Sequence, residues 1–229
     1  MLDQVALPIV QKIDHVLNMV TPPMFERMIG VFQDLFGLEI TTVPAHRNNI
    51  KAIIKNRSFA FTGGQSFSSK AFVTLHSLGH YYFISAANRS GNDRYRYIYD
   101  SSDRQGALHI YETKNLHGSS QKLRRDRIDF ELGANNFAQD LLRYVGLTEL
   151  SEIVNTYQPG DINYIIDVTG NGVEAIVPTD RDYLERYICA GLTYEEEPND
   201  DRIYIPNQFD VNGIDWTYLS NIDLEIHFF

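Results

Sequence analysis

The sequence predicts an α+β fold in which helices cover one face of a small, twisted, mostly antiparallel sheet. Three observations point there. Apolar residues recur at three- and four-residue spacing in several segments, as amphipathic helices require. The β-branched runs are short and lie mainly between 38 and 62. Turn signals such as Gly63-Gly64 and Gly170-Asn171-Gly172 separate the runs. A chain of 229 residues suits one domain, or one domain with an appendage.

Val5, Ile9, Ile13, Val16, Leu17 and Val20 predict a first helix. Pro8 is best tolerated in a first turn, which puts the start near Leu7. Thr21-Pro22-Pro23 restarts the chain, with Thr21 as cap and Pro22 at the first helical position. The second helix runs to 36 and stops at Gly37. Leu38–Val43 is a strand closed by Pro44. Residues 52–55 and 58–62 form two more around Asn56-Arg57. Ser66 to Ser69 offer N-caps for a long helix reaching about Ala87. Further helices are expected over 130–145, 148–157 and 180–190. Pro159-Gly160 breaks the chain, and 162–168 and 173–177 flank a hairpin turn. The last stretch reads as aromatic and irregular.

Charge narrows the function. Twenty Lys and Arg stand against 30 Asp and Glu, a formal charge of −10, which disfavours a nucleic-acid binder. No apolar run approaches the roughly 18–20 residues that cross a bilayer. Asp3 stands where a signal peptide would place Lys or Arg. The single Cys189 allows no intramolecular disulfide, and a cytoplasmic setting is the expectation. Residues 89–127 differ from the rest. They carry a local charge of +4, and Arg94-Tyr-Arg-Tyr-Ile-Tyr99 alternates with period two. A β-hairpin or long insertion is expected there. In a hydrolase, Tyr97 or Tyr99 would be a candidate substrate-binding residue and oxyanion donor; otherwise the run reads as a strand with one solvated face. The acidic run Glu195–Asp201 reads as a solvated loop, or as a segment that docks on the basic insertion.

The informative segment is Phe72-Val-Thr-Leu-His76-Ser77-Leu-Gly-His80-Tyr-Tyr-Phe-Ile84. Histidines four apart on a helix are rotated by only ~40° and separated by ~6 Å along the axis, so both rings leave one face. Two imidazoles can then reach one metal ion. The same spacing is also met in partly buried helices whose histidines bond only to neighbours. Gly79 inside the pair costs ~1 kcal/mol relative to Ala. That cost has a reason if another backbone approaches closely. Glu131, in Glu-Leu-Gly-Ala134-Asn135-Asn-Phe137-Ala138-Gln-Asp-Leu-Leu142, is a third donor on a separate helix, or a helix N-terminal acid stabilised by the dipole. His15, His46, His109, His117 and His227 lack ligand spacing.

Together, T-L-H-x-L-G-H and E-x-x-A-N-x-F-A-x-x-L-L resemble the ImmA/IrrE family of zinc metallopeptidases, which are gluzincin-like zincins. The resemblance spans about 22–157. It implies a minimal zincin core, Zn2+ as cofactor, His76, His80 and Glu131 as its ligands, and a protein as substrate or partner. Family members are associated with mobile elements and stress responses, and several cleave helix-turn-helix repressors. The implied organisation is a zincin-like domain over 1–157, interrupted by the insertion 89–127, with an α+β extension over 158–229 that could pack on the same core. One departure matters. The family motif is H-E-x-x-H, and Ser77 occupies the position of the general base. A Ser hydroxyl is too weak and too short a base, and losing such a group costs ~10²–10⁴ in rate. The chain is then an inactivated peptidase, a natural non-catalytic relative, or an enzyme using another carboxylate, Asp129 or Asp140. Ser77 as nucleophile is disfavoured: it diverges from His76 by ~100° on the helix, and no G-x-S-x-G context is present.

Overall fold

The computed structural model describes residues 3–44, 52–90, 121–171, 180–188, 209–222 and 225–228. The fold is α+β. In order come α1 (Asp3–Leu17), α2 (Pro22–Phe36), β1 (Glu39–Val43), β2 (Ala52–Lys55), β3 (Ser58–Thr62) and α3 (Phe67–Ser90). Then follow α4 (Gln121–Val145), a 3-10 turn (Thr148–Leu150) and α5 (Ser151–Asn171). α6 begins as Asp180–Tyr183 and continues as a π-turn over Leu184–Ile188; α7 (Trp216–Asn221) and β4 (Glu225–Phe228) close the described chain. Among the described residues no helix is long and apolar enough to cross a membrane.

The strands form one sheet in the order β1-β3-β2-β4. β1 runs parallel to β3, whereas β2 is antiparallel to both β3 and β4. The β2–β3 turn is tight because Asn56 adopts a positive φ of 51°, which Asn tolerates better than most residues. Ala52, Ile54, Phe59 and Phe61 are fully buried, in the register Ala52↔Phe61 and Ile54↔Phe59. One sheet face therefore meets the core, as the period of two demands. Phe59 meets Tyr81 of α3 edge to face at 6.5 Å.

α3 is the axis of the molecule. Every residue from Ala71 to Ser85 is buried, which is the condition of a helix apolar on nearly all sides. α1, α2, α4 and α5 all pack against it. α2 ends as its sequence requires: Gly37 takes φ 68°, and its N–H donates to the Gln33 carbonyl.

Several expectations are corrected. α1 starts at Asp3, not Leu7, and stops at Leu17. Pro8 removes a single hydrogen bond close to the helix N-terminus. Residues 121–127, expected in the insertion, are the first two turns of α4. Their Lys, Arg and Leu are good helix formers, and no Gly or Pro interrupts them. At the insertion's other end Arg89 and Ser90 close α3, and 91–120, with the expected hairpin, lie outside the described residues. So do Glu195–Asp201 and Cys189.

Pro159-Gly160 does not break the chain. α5 runs through it to Asn171, so the expected strand over 162–168 is helical and the position 157/158 falls inside a helix. An interior proline costs ~3 kcal/mol. Burial of Ile153, Val154, Tyr157 and Ile162 on the same helix outweighs it. Ile162 and Ile166, read as strand residues, pack at helical spacing against Ile128 and Leu132 of α4. The C-terminal segment is also more regular than expected: β4 completes the core sheet beside β2.

Candidate metal centre

Three helices build the site. α3 carries His76 and His80 on successive turns, and α4 carries Glu131 across from them. The close contact expected at Gly79 is present. A Cβ there would lie 2.4 Å from the Ala134 carbonyl oxygen and 2.6 Å from its Cα. Backbone meets backbone, so only glycine fits. At Gly133 a Cβ would come within 2.8 Å of the Phe83 ring. The α3–α4 approach thus rests on two glycines, one from each helix, and it brings Glu131 to the histidines. α5 adds the polar groups behind them.

The donor atoms converge. His76 Nε2 lies 2.7 Å from Glu131 Oε2, His80 Nε2 lies 3.2 Å from the same oxygen, and the two Nε2 atoms are 2.8 Å apart. Donors ~2.1 Å from a tetrahedral ion stand about 3.4 Å from one another. The three atoms therefore need only a small outward movement to enclose an ion, and two neutral imidazoles with one carboxylate suit a divalent metal. This buried cluster can bind a metal ion. Among the described residues no second group of three His, Cys or carboxylate side chains converges in this way.

The surroundings are dry. His76, His80 and Glu131 are 2%, 3% and 1% exposed. Phe72 stacks on the His76 ring at 5.1 Å and Phe130 on the His80 ring at 4.6 Å. Glu131 lies in the third turn of α4, so the reading of it as a helix N-terminal acid falls away.

Behind His76 stands a polar chain. His76 Nδ1 donates to Asn135 Oδ1 at 2.9 Å, and Asn135 Nδ2 donates to Asp161 Oδ2 at 3.2 Å. Tyr183 donates its hydroxyl to Asp161 Oδ1 at 3.0 Å. Asp161 Oδ2 is itself 3.8 Å from His76 Nδ1. His80 is different: its buried Nδ1 has no hydrogen-bond partner among the described residues.

These contacts set the charges of the metal-free cluster. Burial opposes protonation of His76, but Asp161 and Glu131 outweigh it and raise its pKa to about 9. Burial lowers the pKa of His80, and the neighbouring His76 lowers it further against the pull of Glu131. Burial would push Glu131 up, yet the two histidines hold its carboxyl far below the usual range. Burial raises Asp161 to about 6, with His76 opposing.

Ser77 is buried, and its hydroxyl donates to the Val73 carbonyl at 2.7 Å, one turn back along α3. Neither alternative base joins the cluster. Asp129 precedes Glu131 by two residues and so leaves α4 ~200° away. Asp140 is paired with Arg143 at 2.7 Å on the surface. Tyr97 and Tyr99 lie outside the described residues. Ala134 and Asn135 flank the site, and Phe137 stacks on Tyr82 at 4.6 Å as α3–α4 packing.

Asp161 and Tyr183 were missed in the sequence. Asn135 had a signal, since it follows Glu131 by four residues and shares its helix face. Asp161 had none, because Pro159-Gly160-Asp161 reads as a turn. Comparison with known proteins finds no matching family model, no similar curated protein and no similar solved structure.

Proposed function

We propose that this chain is a zinc protein built on the ImmA/IrrE metallopeptidase scaffold, a zincin-like core that acts on a protein in the cytoplasm and lacks its own general base. The convergence of His76 Nε2, His80 Nε2 and Glu131 Oε2 on one point carries the reading. Two imidazoles and one carboxylate are a donor set found in hydrolytic zinc sites, where three protein ligands leave a position open. Zinc held there supplies Lewis acidity toward a carbonyl. The protein's own part is to bury that centre, with Phe72 stacked on His76 and Phe130 on His80.

Position 77 decides the chemistry. A glutamate there would accept a proton and return it to a leaving amine. The Ser77 hydroxyl is a poor base, and it already donates to Val73. The chain as it stands is therefore expected to hydrolyse peptides ~10²–10⁴-fold more slowly than its Ser77→Glu variant. This same bond favours a second reading, a non-catalytic protein that binds its partner through the retained scaffold. A serine whose hydroxyl is tied back into its own helix has no part in proton transfer.

Purified protein should contain about one zinc per chain by elemental analysis. Ser77→Glu should then cleave members of a protein mixture, as read by N-terminal peptide mass spectrometry, and a chelator should abolish the cleavage. A zinc-loaded Ser77→Glu protein that cleaves nothing moves the assignment to the binding protein. A chain that takes up no zinc removes both metal readings.

A further inference from the structure

The strongest unassigned feature is the hydrogen-bond chain behind His76, which crosses four helices. His76 comes from α3, Asn135 from α4, Asp161 from α5 and Tyr183 from α6. We infer that Asp161 and Tyr183 are positioning residues that hold His76 for the metal, acting through Asn135 and from the Nδ1 side of the ring. The inference rests on the zinc reading of the site.

Direction and charge argue for it. An imidazole that ligates through Nε2 must keep its proton on Nδ1, and an acceptor at Nδ1 fixes both tautomer and ring angle. Asn135 Oδ1 is that acceptor. An amide can rotate by a half-turn and present nitrogen instead of oxygen. Asp161 forbids the turn, because its Oδ2 accepts only from the Asn135 amide nitrogen. The carboxylate also places negative charge 3.8 Å from Nδ1, which makes His76 a stronger donor to a cation. The carboxylate cannot serve as the missing base, since it lies on the side of the ring away from the converging Nε2 atoms.

Tyr183 in turn fixes Asp161 by occupying its other oxygen. The phenol reaches it because α6 sits very close to α5. A Cβ on Gly160 would lie 2.9 Å from the Tyr183 hydroxyl and 2.8 Å from Ile188 Cγ1. The π-turn is held there by Asn163, whose Nδ2 donates to the Tyr187 carbonyl at 2.7 Å. Gly160 and the widened turn of α6 thus have a common outcome: a tyrosine hydroxyl delivered to the carboxylate behind a metal ligand.

The test compares wild type, Asp161→Asn and Tyr183→Phe by competition of each full-length chain with a chromophoric chelator for zinc. Asp161→Asn should weaken zinc binding ~10–100-fold. Tyr183→Phe should weaken it less, about fivefold, because the phenol acts on His76 only at second hand, by holding Asp161. In zinc-loaded, 15N-histidine-labelled protein, both variants should move the His76 Nδ1–H resonance upfield and leave the His80 signals in place. A purely structural role would not select one ring. Equal zinc affinity and an unmoved His76 resonance in the variants overturn the relay and leave the metal centre standing. Failure of wild type to bind zinc overturns both. If Asp161→Asn does not fold, Tyr183→Phe decides alone.

Discussion

The two histidines occupy successive turns of one helix, yet they are held by different physics. His76 is oriented by polar groups, through a chain that leaves α3 and returns to the core by way of three other helices. Both rings are stacked, His76 on Phe72 and His80 on Phe130, so packing is common to the two. What His80 lacks, among the described residues, is a polar hold at Nδ1. Hydrogen bonds fix a tautomer as well as an angle; ring stacking fixes only the angle. A site in which only one ring has a polar hold behind it carries its extra proton on that ring when the metal is absent, and the shifts of the two imidazoles in opposite directions agree.

The sharpest way to break the comparison is to remove its apolar member. His80→Ala should take zinc content from about one per chain to near zero, by elemental analysis of dialysed protein. Ligation would survive only if His76 and Glu131 sufficed. Phe130→Ala removes the stacking that orients His80 and opens a cavity in a residue that is 1% exposed. It should cost ~3–5 kcal/mol in denaturant unfolding of the metal-free protein. A cost below about 1 kcal/mol would mean that something other than Phe130 holds the ring. Gly79→Ala acts on both histidines at once, because it drives α3 from Ala134 and takes Glu131 with it. It should destabilise by about 3 kcal/mol, near the upper end for overpacking, because backbone offers no flexible tip to yield.

The smallest effect is the most discriminating. With His76 at a pKa of about 9, its ring at neutral pH carries one proton more than the metal-binding tautomer, while His80 and Glu131 are shifted down and stand as a neutral imidazole and a carboxylate. Zinc must displace that proton. Affinity should therefore rise about tenfold per pH unit from pH 7 and level off near 9. Chelator competition at several pH values measures the slope. A slope near two would put protons on both rings and end the distinction between them.

Parts of this site were legible from residue order. The His76–His80 spacing fixes a shared face by helix geometry alone, and Gly79 announced a backbone contact because nothing else justifies its cost within a helix. The meeting of Glu131 with those rings was not readable from spacing. It came from the likeness of two motifs, and it depends on glycines in both α3 and α4. Reading Pro159-Gly160 as a break failed because local propensity was weighed without the packing that opposes it.

Sequence by itself determined what covalent geometry dictates over a few residues. The end of α2 at Gly37, the β2–β3 turn at Asn56 and the paired imidazoles all follow from allowed dihedral angles and a period of 3.6. Tertiary structure alone decided the rest: the continuation of α5 through a proline, the seating of β4 beside β2, and the placing of Asp161 and Tyr183 behind His76. Those outcomes depend on apolar burial and hydrogen bonds between residues 22 to more than 100 positions apart. Such energies belong to the assembled core, and no window of neighbouring residues contains them.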